Sequence, residues 1–227
     1  MKKTEVSRII ALLFCCLTAI ILSESISASP ARFTLVIDAG HGGLDGGAVA
    51  ADGTKESILN LEIALRFRQL ALLCGLPAVM TREQETLDYP ETETTVHAKK
   101  VWDQNRRVTL INGTDGALLV SIHQNQYPDA RPNGTQVLYG REEASEQLGT
   151  LTHENLRSCL CPGSRRVAAP VSESIYLMKH VSCPAILVEC GFLSNREEAR
   201  LLKTEAYQTQ LALVLTASCL QFQSRYL

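Results

Sequence analysis

Four side chains that can bind a metal ion or transfer a proton stand where predicted strands end or a predicted helix begins. His41 follows "LVIDAG", His123 ends "LLVSIH" and Glu189 ends "AILVE", and each apolar run is typical of a buried strand. Glu56 stands at the start of the first predicted helix. In open α/β sheets, functional groups gather at the carboxyl ends of the strands. We therefore expect these four side chains to lie close together.

Two imidazoles and two carboxylates are sufficient for the chemistry of a zinc hydrolase. Two histidines and one carboxylate form a recurrent catalytic zinc set that leaves the fourth position open. The second carboxylate can then accept a proton from water and pass it to a leaving amine. Glycines around His41 would let the backbone turn sharply and would keep bulk away from such a site. They are Gly40, Gly42, Gly43, Gly46 and Gly47.

Each of these signals also has a simpler interpretation. A histidine after a strand is more often a hydrogen-bonded structural residue than a metal ligand. A glycine-rich loop between a strand and a helix can bind phosphate, although this loop lacks the GxxxxGK[ST] pattern and Glu56 would repel an anion. Glu56 can also complement the helix macrodipole. A structural role is harder to assign to Glu189, because an unpaired buried carboxylate is energetically costly.

Length and composition place the chain among globular proteins of one domain. It has 227 residues, of which 45% are hydrophobic and 20% are charged, so it can bury a sizeable core. Its formal net charge is −2, which argues against a protein that binds nucleic acid through a basic surface. We expect an enzyme-sized domain over residues 29–227.

Residues 1–28 have the pattern of an export signal. Lys2, Lys3 and Arg8 precede an uncharged apolar run over residues 9–22, and a short stretch of small residues follows. This pattern predicts a signal peptide or, alternatively, an N-terminal membrane anchor. In either case the working domain is predicted to lie outside the cytoplasm.

Alternating strands and helices predict an α/β fold. Strands are predicted at 33–37, 77–80, 117–122, 135–139, 174–179 and 185–190, and helices at 56–74, 99–112, 142–158 and 197–220. Ser194 and Asn195 are expected to cap the last helix, with Ser194 and Glu197 in capping-box spacing. This order predicts a single-domain three-layer sandwich, with a mostly parallel or mixed sheet of about six strands and helices on both faces.

Four motifs together resemble one family of bacterial enzymes. "DAGHGGLDGGA" with a downstream glutamate, "SIHQN", "NGTQVLY" and "VECGFLSN" occur in this order over about residues 35–202. The chain thus resembles the zinc-dependent N-acetylmuramoyl-L-alanine amidases of bacterial cell walls. The stretch "YLMKHVSCPAILVECGFLSN" is further similar to the germination-specific, CwlD-like members of spore-forming bacteria.

The resemblance implies a role for each of the four residues. His41, Glu56 and His123 would bind one Zn²⁺ per chain, and Glu189 would be the catalytic carboxylate. The reaction would cleave the amide between the lactyl group of N-acetylmuramic acid and the L-alanine of the peptidoglycan stem peptide. The reaction would serve either wall turnover or, in the germination branch, the formation of muramic-δ-lactam in the spore cortex. The resemblance accordingly implies a location in the cell wall or in the space between the forespore membranes.

Some expectations concern substrate and partners. Asn125, two residues after His123, would orient a ligand, bind substrate or make a structural hydrogen bond. Arg106 and Arg107 would meet carboxylates of the stem peptide or, as the simpler reading, lie on a solvated helix face. Besides peptidoglycan, an accessory activating protein and membrane association through the N-terminus are expected, and no nucleic acid. Two rival functions are a zinc carboxypeptidase-like peptidase and a wall-binding subunit that is inactive without its partner.

Overall fold

The computed structural model of the chain describes residues 33–226. The predicted signal peptide or membrane anchor, residues 1–28, lies outside this range and remains a prediction. Within the described range, no helix combines the length and the hydrophobicity that crossing a membrane requires.

Six strands and six helices make up the described part of the chain. In chain order they are β1 Thr34–Ala39, α1 Glu56–Leu73, β2 Ala78–Met80, α2 Val96–Asn112, β3 Ala117–Asn125, β4 Gln136–Tyr139, α3 Glu143–Leu160, β5 Ala169–Pro170, α4 Tyr176–His180, β6 Ala185–Phe192, α5 Arg196–Leu202 and α6 Glu205–Tyr226.

The strands form one mixed sheet in the order β2-β1-β3-β6-β4-β5. Strands β2, β1, β3 and β6 are parallel to one another, whereas β4 runs antiparallel to β6 and parallel to β5. The carboxyl ends of β1, β3 and β6 therefore meet at one end of the sheet. Their register places His123 opposite Glu189, so the two side chains share a face of the sheet.

Two hydrophobic clusters cover the two faces of the sheet. Residues alternate along β1, so that Leu35 and Ile37 join one cluster while Val36 joins the other. The first cluster includes side chains from α1, α3 and α6, and the second includes Ile111 of α2 and Leu177 of α4. Helices thus pack on both faces, and the predicted three-layer α/β sandwich is confirmed.

The prediction of a strand at 174–179 is wrong. These residues form the short helix α4 and the turn before it, and the edge position of the sheet is taken by β5 instead. A short continuous apolar run does not distinguish a strand from a buried helical turn. Leu177 and Met178 are neighbours on one helical turn, and both are buried against the same face of the sheet. In a strand, consecutive side chains would point to opposite faces.

The last predicted helix is two helices. The chain turns between α5 and α6, where the Thr204 hydroxyl accepts a hydrogen bond from the Tyr207 backbone N–H. Asn195 caps α5 as predicted, because its side chain accepts from the N–H groups of Glu197 and Glu198. The predicted capping role of Ser194 is wrong, since its hydroxyl instead accepts from the backbone of Tyr127.

Candidate metal centre and active site

The loop after β1 presents His41 in an unusual backbone conformation. His41 has a φ of 60°, a left-handed conformation that costs free energy for a residue with a Cβ atom. Two glycines of the loop make room for the neighbouring side chains. A Cβ at Gly40 would lie 2.3 Å from the ring of His123, and one at Gly47 would lie 2.5 Å from Oε2 of Glu56. A residue with a side chain at either position would therefore displace His123 or Glu56.

His41, Glu56 and His123 meet above the carboxyl ends of β1 and β3. One potential ligand atom from each residue lies within 4.8 Å of the other two. The Nε2 atom of His41 is 3.3 Å from Oε2 of Glu56, and Nδ1 of His123 is 3.0 Å from Oε1. The three residues come from a loop, a helix start and a strand end, so only the folded chain brings them together. Their arrangement can hold a metal ion.

Glu56 is buried at the first position of α1 and is held by the backbone. The N–H groups of Ala48 and Gln124 donate to its two carboxylate oxygens at 2.8 and 3.0 Å. Burial raises the pKa of this carboxyl, but hydrogen bonds from His123 and His41 outweigh burial and hold the pKa well below its ordinary value. Glu56 is therefore an anion in a fixed orientation, as a metal-binding carboxylate must be.

Asp45 contacts His41 from the side opposite to Glu56, and sequence reasoning missed it. Its Oδ2 atom lies 3.1 Å from Nδ1 of His41. Burial lowers the pKa of His41, but hydrogen bonds to Asp45 and Glu56 raise it to about 9. A metal ion that binds His41 near neutral pH must therefore displace a proton. The spacing of four residues between the two side chains was the signal available in the sequence.

Glu189 lies beside the three-residue cluster but is not one of its members. Its Oε2 atom is buried and has no hydrogen-bond partner among the described residues. Burial raises the pKa of Glu189 to about 7; the positive charge of His123 opposes this effect and the negative charge of Glu56 adds to it. A buried carboxyl oxygen without a partner needs a functional explanation. A pKa near 7 suits a group that accepts and returns a proton at neutral pH.

A cavity of about 340 Å³ opens over these residues on the face of the sheet that α2 and α4 cover. Part of its wall is formed by Ile175, Tyr176 and Leu177, which lie in and just before helix α4. Other residues that line it include Asp38, His41, Asp45, Tyr89, Lys100, Asp103, Arg107, Ser121, His123, Leu187 and Glu189. The cavity is large enough to enclose a segment of a substrate and places it against both His123 and Glu189.

Asn125 is not among the described residues that line this cavity. It is the last residue of β3, and its backbone carbonyl accepts a hydrogen bond from the N–H of Leu193 at 2.8 Å. The backbone contact ties β3 to the chain that follows β6. The geometry thus gives Asn125 a structural contact and leaves its predicted contact with substrate unsupported.

The expected solvated position of Arg107 is wrong. Its side chain is 3% exposed and donates to Asp38 at 2.7 Å, to Asp103 at 2.8 Å and to the backbone carbonyls of Ala39 and His41. The guanidinium therefore joins α2 to the end of β1 and to the loop that carries His41. Arg106 is partly buried and donates to the carbonyl of Thr81. Both arginines also pair with Asp103 on the same helix, but Asp38 and Thr81, which draw them out of solvent, are distant in sequence.

The ion pair of Asp38 and Arg107 makes a testable contribution to stability. Burial raises the pKa of Asp38, but Arg107 and the hydroxyls of Ser121 and Thr81 lower it to about 2 from the ordinary 3.8. A carboxylate whose pKa is lowered on folding adds stability that is fully present above pH 3.8 and is lost as the pH falls through about 2. The shift corresponds to about 2 kcal/mol.

We expect Asp38→Asn to lower the free energy of unfolding at neutral pH by about 3 kcal/mol, because Arg107 stays buried and loses one of its two carboxylate partners. The variant should also lose part of the pH dependence of stability in the acid range. Denaturant unfolding curves across that range measure both effects. Asp115→Asn, at an exposed position, is the control and should change neither. Equal acid sensitivity of Asp38→Asn and the wild type would contradict the assignment.

Comparison with known proteins is consistent with this geometry. Residues 35–218 match the family described as N-acetylmuramoyl-L-alanine amidase. The chain is 37% identical over 179 residues to the germination-specific N-acetylmuramoyl-L-alanine amidase of Bacillus subtilis. The aligned region covers 78% of this chain and 74% of that relative.

Solved structures share the fold. One is the CwlD amidase of Clostridioides difficile in complex with the GerS lipoprotein, with a TM-score of 0.81 and 33% identity over 85% of this chain and 98% of that chain. Another is an N-acetylmuramoyl-L-alanine amidase from Clostridium difficile, with a TM-score of 0.74 and 25% identity over 86% of this chain and 99% of that chain. The family match covers most of the chain, and the chain therefore belongs to the N-acetylmuramoyl-L-alanine amidase family.

Proposed function

We propose that this protein is a zinc-dependent hydrolase that cleaves the amide between the lactyl group of N-acetylmuramic acid and the L-alanine of the stem peptide. The observation that carries the proposal is the juxtaposition of a three-residue cluster that can hold a metal ion with the buried, unpartnered Oε2 atom of Glu189, at a cavity that His41, His123 and Glu189 line. Family membership supplies the bond that is cut.

The side chains of the cluster fit a zinc ion. Two imidazole nitrogens and one carboxylate are a donor set of catalytic zinc sites, and His41, Glu56 and His123 supply it. The orphaned carboxyl oxygen of Glu189 also fits, because a cation and a polar substrate would give it partners. When bound, zinc polarises a carbonyl and lowers the pKa of water to about 7.

In this proposal Glu189 moves the proton. Its carboxylate accepts a proton from the attacking water and later gives it to the nitrogen of the departing alanine. Two features support this role: the pKa of about 7, and a position opposite His123 on the neighbouring strand.

The electrostatics of the cavity favour an amidase over a carboxypeptidase. A carboxypeptidase needs a free arginine to bind the terminal carboxylate of its substrate. Arg107 is the arginine that lines the cavity within residues 33–226, and its guanidinium is already bound to Asp38 and Asp103. The second rival, a wall-binding subunit without activity, would not need an unpartnered carboxylate beside a metal-binding cluster.

We further propose that the substrate is spore cortex peptidoglycan and that the product is processed to muramic-δ-lactam. The similarity to a germination-specific amidase of Bacillus subtilis supports this assignment. The CwlD structure contains the GerS lipoprotein as a partner, and an accessory partner is proposed for this chain by analogy. The chain itself would be exported, with residues 1–28 serving as a signal peptide or as a membrane anchor.

The proposal is tested by incubating the purified chain with zinc and intact peptidoglycan and identifying the products by mass spectrometry. We expect stem peptides with a free L-alanine amino terminus and glycan strands that remain intact. Cleavage within the peptide alone would identify a peptidase. The proposed role in the spore cortex is tested by analysing the cortex of a sporulating strain that lacks this gene. Loss of muramic-δ-lactam is expected, and its persistence would contradict a cortex role.

A further inference from the structure

The carboxylate of Asp45 bridges His41 and helix α2. One of its oxygens lies 3.1 Å from Nδ1 of His41, and the other lies 3.1 Å from Nζ of Lys100. The side chains of His41 and Asp45 are 27% and 28% exposed, so the pair is partly screened from water. The remaining ring nitrogen of His41, Nε2, faces Glu56.

These contacts give the two nitrogens of the His41 ring different roles. When a metal ion displaces the proton from Nε2, the Nδ1–H that is donated to Asp45 keeps the ring in the tautomer whose Nε2 carries a lone pair. That lone pair then points toward Glu56, on the side where the three ligand atoms converge. Carboxylates that accept a hydrogen bond from a metal-binding histidine also restrict the orientation of the ring.

We propose that Asp45 is a positioning residue that holds His41 in the tautomer and orientation required to bind the zinc ion. The inference rests on the proposed function, because it assumes that His41 is a ligand. Restraint of the side chain matters at this position, since His41 lies in a glycine-rich loop. Lys100 holds the second carboxylate oxygen and so limits rotation of Asp45.

The conformation of the loop does not depend on the carboxylate alone. Two backbone hydrogen bonds join Gly42 and Asp45, at 2.7 and 3.0 Å, and these persist whatever side chain stands at position 45. The contact of the Asp45 side chain with the N–H of Gly47 is longer, at 3.4 Å. Substitution of Asp45 should therefore affect the ring of His41 more than the path of the loop.

The test is the zinc dissociation constant of the purified full-length chain, measured by competition with a chromophoric chelator. We expect Asp45→Ala to weaken zinc binding by roughly 10- to 100-fold. Asp45→Asn keeps an oxygen that accepts from Nδ1–H and should recover part of the affinity. Unfolding of the zinc-free variants checks that each remains folded. A variant that is as stable as the wild type but binds zinc more weakly has lost the positioning of His41 and not the fold.

Asp52→Ala is the matched control. Asp52 belongs to the same β1–α1 connection, is exposed and pairs with Lys203, so its loss should leave zinc affinity unchanged. Equal affinity of Asp45→Ala and the wild type, or equal weakening by Asp45→Ala and Asp52→Ala, would overturn the inference while zinc binding by the wild type stands. Failure of the wild type itself to bind zinc would instead contradict the proposed function.

Discussion

Glu189→Ala is expected to retain zinc while hydrolysis of peptidoglycan falls by roughly 10²- to 10⁴-fold, the range that general acid–base groups contribute. Glu189 is outside the three-residue cluster, so its loss leaves the metal ligands in place. The proton of the attacking water then has no acceptor, and the departing amine has no donor. Zinc content by elemental analysis and the rate of release of new amino termini measure the two effects separately.

Glu189→Gln sharpens this test, because glutamine has nearly the same shape but cannot accept the proton. It should lose activity to a similar extent. Neither variant should be strongly destabilised, since one oxygen of the wild-type carboxyl is buried without a partner and burial disfavours its charged form. Glu154→Ala, at an exposed position on α3, should behave as the wild type. Release of alanine-terminated peptides by Glu189→Gln at the wild-type rate would exclude the proposed role.

His123→Ala is expected to lose both zinc and activity. The imidazole of His123 is one of three donors, and a site with two remaining donors binds zinc weakly. A ligand that binds only the native state stabilises it, by about 2.7 kcal/mol at a concentration one hundred times its dissociation constant. Added zinc should therefore raise the melting temperature of the wild type and leave that of His123→Ala unchanged.

His97→Ala is the control for loss of a histidine. His97 is exposed in the first turn of α2, and the variant should retain one zinc ion per chain and full activity. If His123→Ala still bound one zinc ion with wild-type affinity, His123 would not be a ligand. Together with Glu189→Ala, this variant separates a residue that holds the metal from a residue that transfers the proton.

The sequence alone determined which residues could form the site. His41, His123 and Glu189 follow apolar runs, and parallel strands place their carboxyl ends side by side. The alternation of strands and helices along the chain likewise predicted a sheet covered on both faces. These features are local, because each depends on residues that are neighbours along the chain. For that reason they could be predicted without coordinates.

Only the tertiary structure decided which side chains support the site. Asp38 is bound by Thr81, Arg107 and Ser121, three residues from separate elements whose proximity no local pattern encodes. The helical conformation of α4 likewise depends on the apolar surface that Leu177 and Met178 meet. The burial and the partners of a charged or apolar side chain depend on which distant segments the whole fold brings next to it. The pairing of Arg107 with Asp38 and the packing of α4 were therefore beyond the reach of local sequence patterns.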